Sequence, residues 1–170
     1  MPPRRERYRW RMADDDGRRD FDFLFGRWHI HNRRLARRLE GCTEWLEFEA
    51  TGEARPALGG LANVDSFSTP SYWDRKPFEG MTVRTFNPRT RLWSIFWADD
   101  RTNELGPPVH GRFENDHDRF FGDDSFAGKR IRVRFDWHVL GADRATWEQA
   151  FSPDGERTWE PNWRMEFSRS

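Results

Sequence analysis

Short runs in which apolar residues recur at every second position follow one another from about residue 26 to the C-terminus, and hardly a stretch carries the period of a helix. The first run opens on Gly26-Arg27-Trp28. The last ends on Arg169, one residue from the C-terminus and in phase with Trp163, Met165 and Phe167. A Trp on the first strand and an Arg on the last meet only if the sheet closes on itself. The pattern predicts an all-β fold: a single closed antiparallel up-and-down β-barrel of about ten strands. Closure removes the exposed edges that a meander of short strands would otherwise leave. An open sandwich of the same strands is the alternative.

The runs can be placed by their parity. Trp28, Ile30, Asn32 and Arg34 share one face of the first, and Leu46, Phe48 and Ala50 one face of the second, over about 43–54. The third, about 59–68, sets Leu61, Asn63, Asp65 and Phe67 in phase. The fourth covers about 78–86 and ends on the turn Asn87-Pro88-Arg89-Thr90. The fifth, 91–99, is apolar on both faces: Trp93, Ile95 and Trp97 against Leu92, Phe96 and Ala98. Runs at about 109–114 and 119–126 flank a hairpin loop, Asn115-Asp116-His117-Asp118. In the eighth, Ile131, Val133, Phe135 and Trp137 alternate with Arg130, Arg132, Arg134 and Asp136. Ala145, Trp147, Gln149 and Phe151 mark the ninth, Ser152-Pro-Asp-Gly155 is a turn, and the tenth covers about 158–169.

Residues 1–18 have no apolar period and read as a disordered N-terminal extension, leaving 19–170 as the barrel domain. The dense apolar segment Asp20-Phe-Asp-Phe-Leu-Phe25 reads as a short helical plug at one mouth of the barrel. Twenty-nine basic residues balance 29 acidic ones, so no net field selects nucleic acid or an anionic membrane. Ten Trp and 15 Phe suit a core that must line a cavity with few residues. The one cysteine, Cys42, excludes an intramolecular disulfide, so a reducing cytoplasm is the expected home. No apolar run has the length of a membrane span, and no signal-peptide core follows Arg4-Arg5.

Gly26-x-Trp28 with an inward Arg169 resembles the signature of the calycins, the superfamily of lipocalins and fatty-acid-binding proteins. Longer stretches resemble a bacterial calycin-like domain family of uncharacterised function: His31-Asn-Arg-Arg-Leu35, Gly59-Gly-Leu-Ala-Asn-Val-Asp65, Phe78-Glu-Gly-Met81, Phe86-Asn-Pro88, Leu92-Trp-Ser-Ile95, Trp97-Ala-Asp99, Pro107-Pro-Val109, Trp147-x-Gln-Ala-Phe151 and Asn162-Trp163. The resemblance spans about residues 21–169. It implies the barrel, with the Arg packed over the Trp at the closed end, and carries over no reaction and no catalytic residue.

With the apolar parity inward, several polar groups fall inside: Asn32, Arg34, Asn63, Asp65, Gln149 and Arg169, joined by Arg84 and Asp99. Buried charges must pair with one another, with water or with a ligand, so Asp65 is expected to bond Arg34 or Arg84. Either this is a structural polar network or it orients a ligand. The ligand-binding set is then Arg34, Asn63, Asp65, Arg84 and Gln149 as orienting groups, with Trp97, Phe135, Trp137, Trp147 and Trp163 as walls. His29 and His31 fall on the outward parity, so neither a metal nor haem is expected, and no cofactor is assigned. Cys42 stands alone, the serines lack a nucleophile motif, and Gly59-Gly60 is no phosphate loop. The Arg130, Arg132 and Arg134 row reads as a solvated face paired with acids such as Glu148.

The expected function is binding of a small, partly apolar molecule with a polar or anionic group in the barrel cavity. An enzyme of the cyclase or isomerase type, with Asp65 as acid or base, is the rival. A filled-barrel structural or interaction protein is the third reading. The apolar outer face at Leu92, Phe96 and Ala98 needs a cover. The loop 100–108 is one candidate and a second copy, in a homodimer, the other.

Overall fold

The computed structural model describes residues 16–114 and 118–170. Ten strands follow in chain order: β1 (Gly26–Leu35), β2 (Trp45–Ala57), β3 (Ala62–Thr69), β4 (Phe78–Asn87), β5 (Leu92–Asp99), β6 (Val109–Phe113), β7 (Asp118–Phe126), β8 (Lys129–Val139), β9 (Arg144–Ser152) and β10 (Glu160–Arg169). Each pairs antiparallel with the next. β10 returns to β1 in an unbroken ladder from Trp28↔Arg169 to Arg34↔Trp163, so the sheet is a closed up-and-down barrel and not an open sandwich.

Alternation decides which side chains enter the barrel, because successive side chains of a strand point to opposite faces. Trp28, Ile30, Asn32 and Arg34 of β1 are buried, whereas Arg27 and His29 are exposed. Ile131, Val133 and Trp137 of β8 are buried likewise. An outward carboxylate, Asp136 of β8, is also buried. Asp136 is clamped between Arg119 at 2.6 Å and Arg134 at 2.7 Å, which together exclude solvent from its carboxylate. Arg134 also lies 3.7 Å from Glu148, and Arg132 meets Asp123 and Glu156, so these two arginines are paired on the outer face.

The segment before β1 is less helical than the expected plug. Only Asp22–Leu24 is helical, a single turn of the 3-10 type. Phe21 and Leu24 are nevertheless buried, and the Phe21 ring packs edge-on against Trp93 and Phe113 at 5.1 and 5.0 Å. Phe23 also packs edge-on against Phe113 and Trp137, at 6.1 and 5.7 Å. The backbone carbonyl of Gly17 accepts the Trp93 indole N–H at 3.0 Å, which ties the chain down ahead of that turn. The extension expected over residues 1–18 otherwise lies outside the described residues, as does most of the loop expected at 115–118.

Strand limits shift by a few residues. β2 runs on to Ala57, and a 3-10 turn, Leu58–Gly60, takes the start of the third run. On the outer face, register places Val64, Val83 and Phe96 side by side across β3, β4 and β5, with Met81 and Ala98 in the next row. Leu105, the one large aliphatic side chain of the loop 100–108, is 57 % exposed.

Candidate functional site

The interior is not filled. A cavity of about 310 Å³ runs from Leu24 and Trp28 at one end to Arg38 and Tyr72 at the other. Its walls are largely aromatic. Trp147 packs edge-on against Phe135 at 4.9 Å and against Trp163 at 5.9 Å. Trp163 is oriented by its indole N–H, which donates to Asn32 Oδ1 at 3.0 Å, while Asn32 Nδ2 donates to the Ile30 carbonyl. Trp97 lies across β4 because Gly80 leaves room for it: a Cβ at Gly80 would sit 2.3 Å from the Trp97 ring. The Trp97 indole N–H donates to Asp99, whose carboxylate also accepts the amides of Arg101 and Thr102. These contacts hold Asp99 below its ordinary carboxylate range against the opposing effect of burial.

Eight of the ten side chains expected to bind a ligand line this cavity: Asp65, Arg84, Trp97, Phe135, Trp137, Trp147, Gln149 and Trp163. The other two stand behind it. Asn63 is buried and accepts a hydrogen bond from Arg84 at 3.0 Å through its side-chain oxygen, so it positions the guanidinium. Arg34 is buried as well. It donates to its neighbour's carbonyl at Leu35 and stacks on Trp73, 4.6 Å from that ring's centroid. Asp65 therefore pairs with Arg84, at 2.6 Å, and not with Arg34. Arg84 is otherwise held among rings, 5.0 Å from the centroid of Phe21 and 5.9 Å from that of Trp137. Its Nε and the Nδ2 of Asn63 find no protein acceptor among the described residues, although both are buried. Gln149 is satisfied differently, donating to Asn162 at 2.9 Å.

Two cavity residues of note come from loops. Arg38 follows β1, and its guanidinium rests over Phe126 and Phe151 at 4.7 and 5.2 Å. Tyr72 lies between β3 and β4. Its ring is buried, stacked on Phe78 at 3.9 Å and edge-on to Phe48 at 5.0 Å. Burial pushes the Tyr72 phenol up to about 12, against the pull of the nearby Arg34 and Arg38 charges. Burial also draws Arg34 down from the ordinary guanidinium range. Neither Arg38 nor Tyr72 stood out in the sequence. Loop residues have no alternation to say which way they point, so no periodic signal was there to find them.

No group of three or more His, Cys, Asp or Glu is placed to hold a metal among the described residues. His29 and His31 lie on the outer face, beside Glu49, with His29 Nε2 at 2.8 Å from its carboxylate. No histidine lines the cavity among the described residues. The arrangement can enclose an apolar body and offer it donors at two levels, Arg84 in the wall and Arg38 with Tyr72 at the mouth. The chain matches no family model and none of the curated proteins compared with it.

Proposed function

We propose that this chain is a small-molecule-binding barrel, which takes a partly apolar molecule with a polar or anionic group into its interior. The observation that carries this reading is the open cavity of about 310 Å³. Protein interiors normally close-pack, and apolar walls with a few convergent polar groups are what small-molecule sites look like. A filled-barrel structural protein has no use for such space. The calycin-like reading is part of the proposal. Its support is the up-and-down connectivity of ten strands and the stacking of Arg169 on Trp28.

The test is a titration with octanol, followed by the fluorescence of the cavity tryptophans. Saturable quenching is expected, and it should vanish in Val133→Trp, which fills the cavity from β8. Quenching that is absent, or that persists in a folded Val133→Trp, overturns the reading. The enzymatic alternative has one favouring observation, a carboxylate at Asp65 inside an aromatic cavity. Turnover lost in Asp65→Asn with binding retained is the outcome that would establish it.

A further inference from the structure

Among the described residues, the strands carry two large apolar side chains that are exposed, Val64 at 37 % and Met81 at 42 %. The others, such as Leu105 and Leu140, lie outside the strands. Val64 and Met81 share one outward face, that of β3, β4 and β5, where Val83, Phe96 and Ala98 complete an apolar patch. Two charges flank it. Arg55 of β2 stands opposite Val64, at the end of the row Val64, Val83 and Phe96. Glu79 of β4 points outward on the other side, two residues before Met81. Both are exposed, and neither makes an ion pair among the described residues. Glu53, the acid next to Arg55 on the outward side of β2, meets Arg27 at 3.5 Å.

Register fixes where these charges stand. Ser66 of β3 pairs with Glu53 on one side and Met81 on the other. Arg55 is therefore one strand and two residues from Ser66 in one direction, and Glu79 one strand and two residues from it in the opposite direction. With strands about 4.8 Å apart and about 3.4 Å per residue, Phe96 lies about 14 Å from each charge. The line from Ser66 to Phe96 thus bisects the space between Arg55 and Glu79. A two-fold axis along that line, between two copies packed face to face, exchanges the two charges. It sets Arg55 of each copy over Glu79 of the other, Met81 over Val64, and Phe96 over its own counterpart. The strands of the two copies then cross steeply, as in orthogonal sheet packing.

We propose that this face binds a second copy of the chain in a closed two-fold dimer, with reciprocal Arg55–Glu79 ion pairs on either side of the apolar patch. A two-fold contact needs a surface that is complementary to itself. Opposite charges placed equally about an apolar diagonal make such a surface, and an unlike partner would have no need of that symmetry. The patch is small beside a standard protein–protein interface, so the charges fix the orientation of the two copies and exclude other pairings.

The experiment reverses each charge and then mixes the products. Light scattering of the full chain at micromolar concentration reads the mass, and circular dichroism the fold. Arg55→Glu makes both flanking charges acidic, and Glu79→Arg makes both basic. Each variant by itself should dissociate, its dimer constant weakened at least about tenfold, because like charges then face each other. An equimolar mixture of the two variants should dimerise again, since every flanking pair is then of opposite sign. Both residues are exposed, so both variants are expected to keep the native fold. A native chain that remains a monomer overturns the inference. So does a dimer that either reversal leaves intact, and so does a mixture no more associated than its two components.

Discussion

The guanidinium of Arg169 lies over the indole of Trp28, its central carbon 3.8 Å from the ring centroid, although the two residues stand near opposite ends of the chain. Arg169 also donates to the backbone carbonyls of Phe23, at 2.6 Å, and Phe25. The Trp28 indole N–H donates to the carbonyl of Leu24 at 2.7 Å. One arginine therefore joins the last strand, the first strand and the turn before it. Gly26 is part of the same device. Its φ of 102° is a conformation that side chains disfavour, and a Cβ there would approach Arg169 Nη1 to 2.9 Å.

Arg169→Met is expected to cost about 2–4 kcal/mol, from the lost cation–π contact and the carbonyls of Phe23, Phe25 and Ala142 left without their donor. Denaturant unfolding measures it. A change below about 0.5 kcal/mol, typical of a surface substitution, would mean that this contact does not hold the barrel shut.

Asp65→Ala should destabilise by about 3 kcal/mol, because it leaves Arg84 buried without its counter-charge. The double variant Asp65→Leu/Arg84→Met should recover most of that loss, since an apolar pair carries no desolvation penalty. A double variant as unstable as the single one would refute the pairing as the source of the effect.

Tyr72 should titrate late. In a Tyr8→Phe background it is the sole tyrosine of the chain, and its phenol is expected to ionise near 12 in the folded protein. A phenol raised above its unfolded value of 10.0 favours folding below that pH. The contribution is lost as the pH climbs from there through about 12, because the unfolded chain ionises first. Absorbance of the phenolate against pH measures it, and an ordinary titration near 10 would show the ring to be solvated.

The outer row Val64, Val83 and Phe96, with Met81 and Ala98 beside it, is proposed to be covered by a second copy of the chain. Light scattering at micromolar concentration should give a dimer mass, and Phe96→Asp a folded monomer. A native chain that scatters as a monomer sinks the proposal.

Alternation was enough to read ten strands and the inward side of nearly every strand, while the Trp28–Arg169 pairing favoured a closed barrel over an open sandwich and the β1–β10 ladder decided it. Each residue of a strand has only two faces to choose from, and Ile131, Val133 and Trp137 choose consistently. The meeting of Trp28 and Arg169 followed from the same parity. The tertiary structure decided what parity cannot express. It chose Arg84 over Arg34 as the partner of Asp65, because neighbouring inward side chains on β3 and β4 meet across the ladder, whereas Arg34 turns towards Trp73. It buried Asp136 on an outer face, through two arginines from β7 and β8. It also brought Arg38 and Tyr72 to one mouth. Loops take their direction from the ends they join and the surfaces they meet, and no local period in the chain records either.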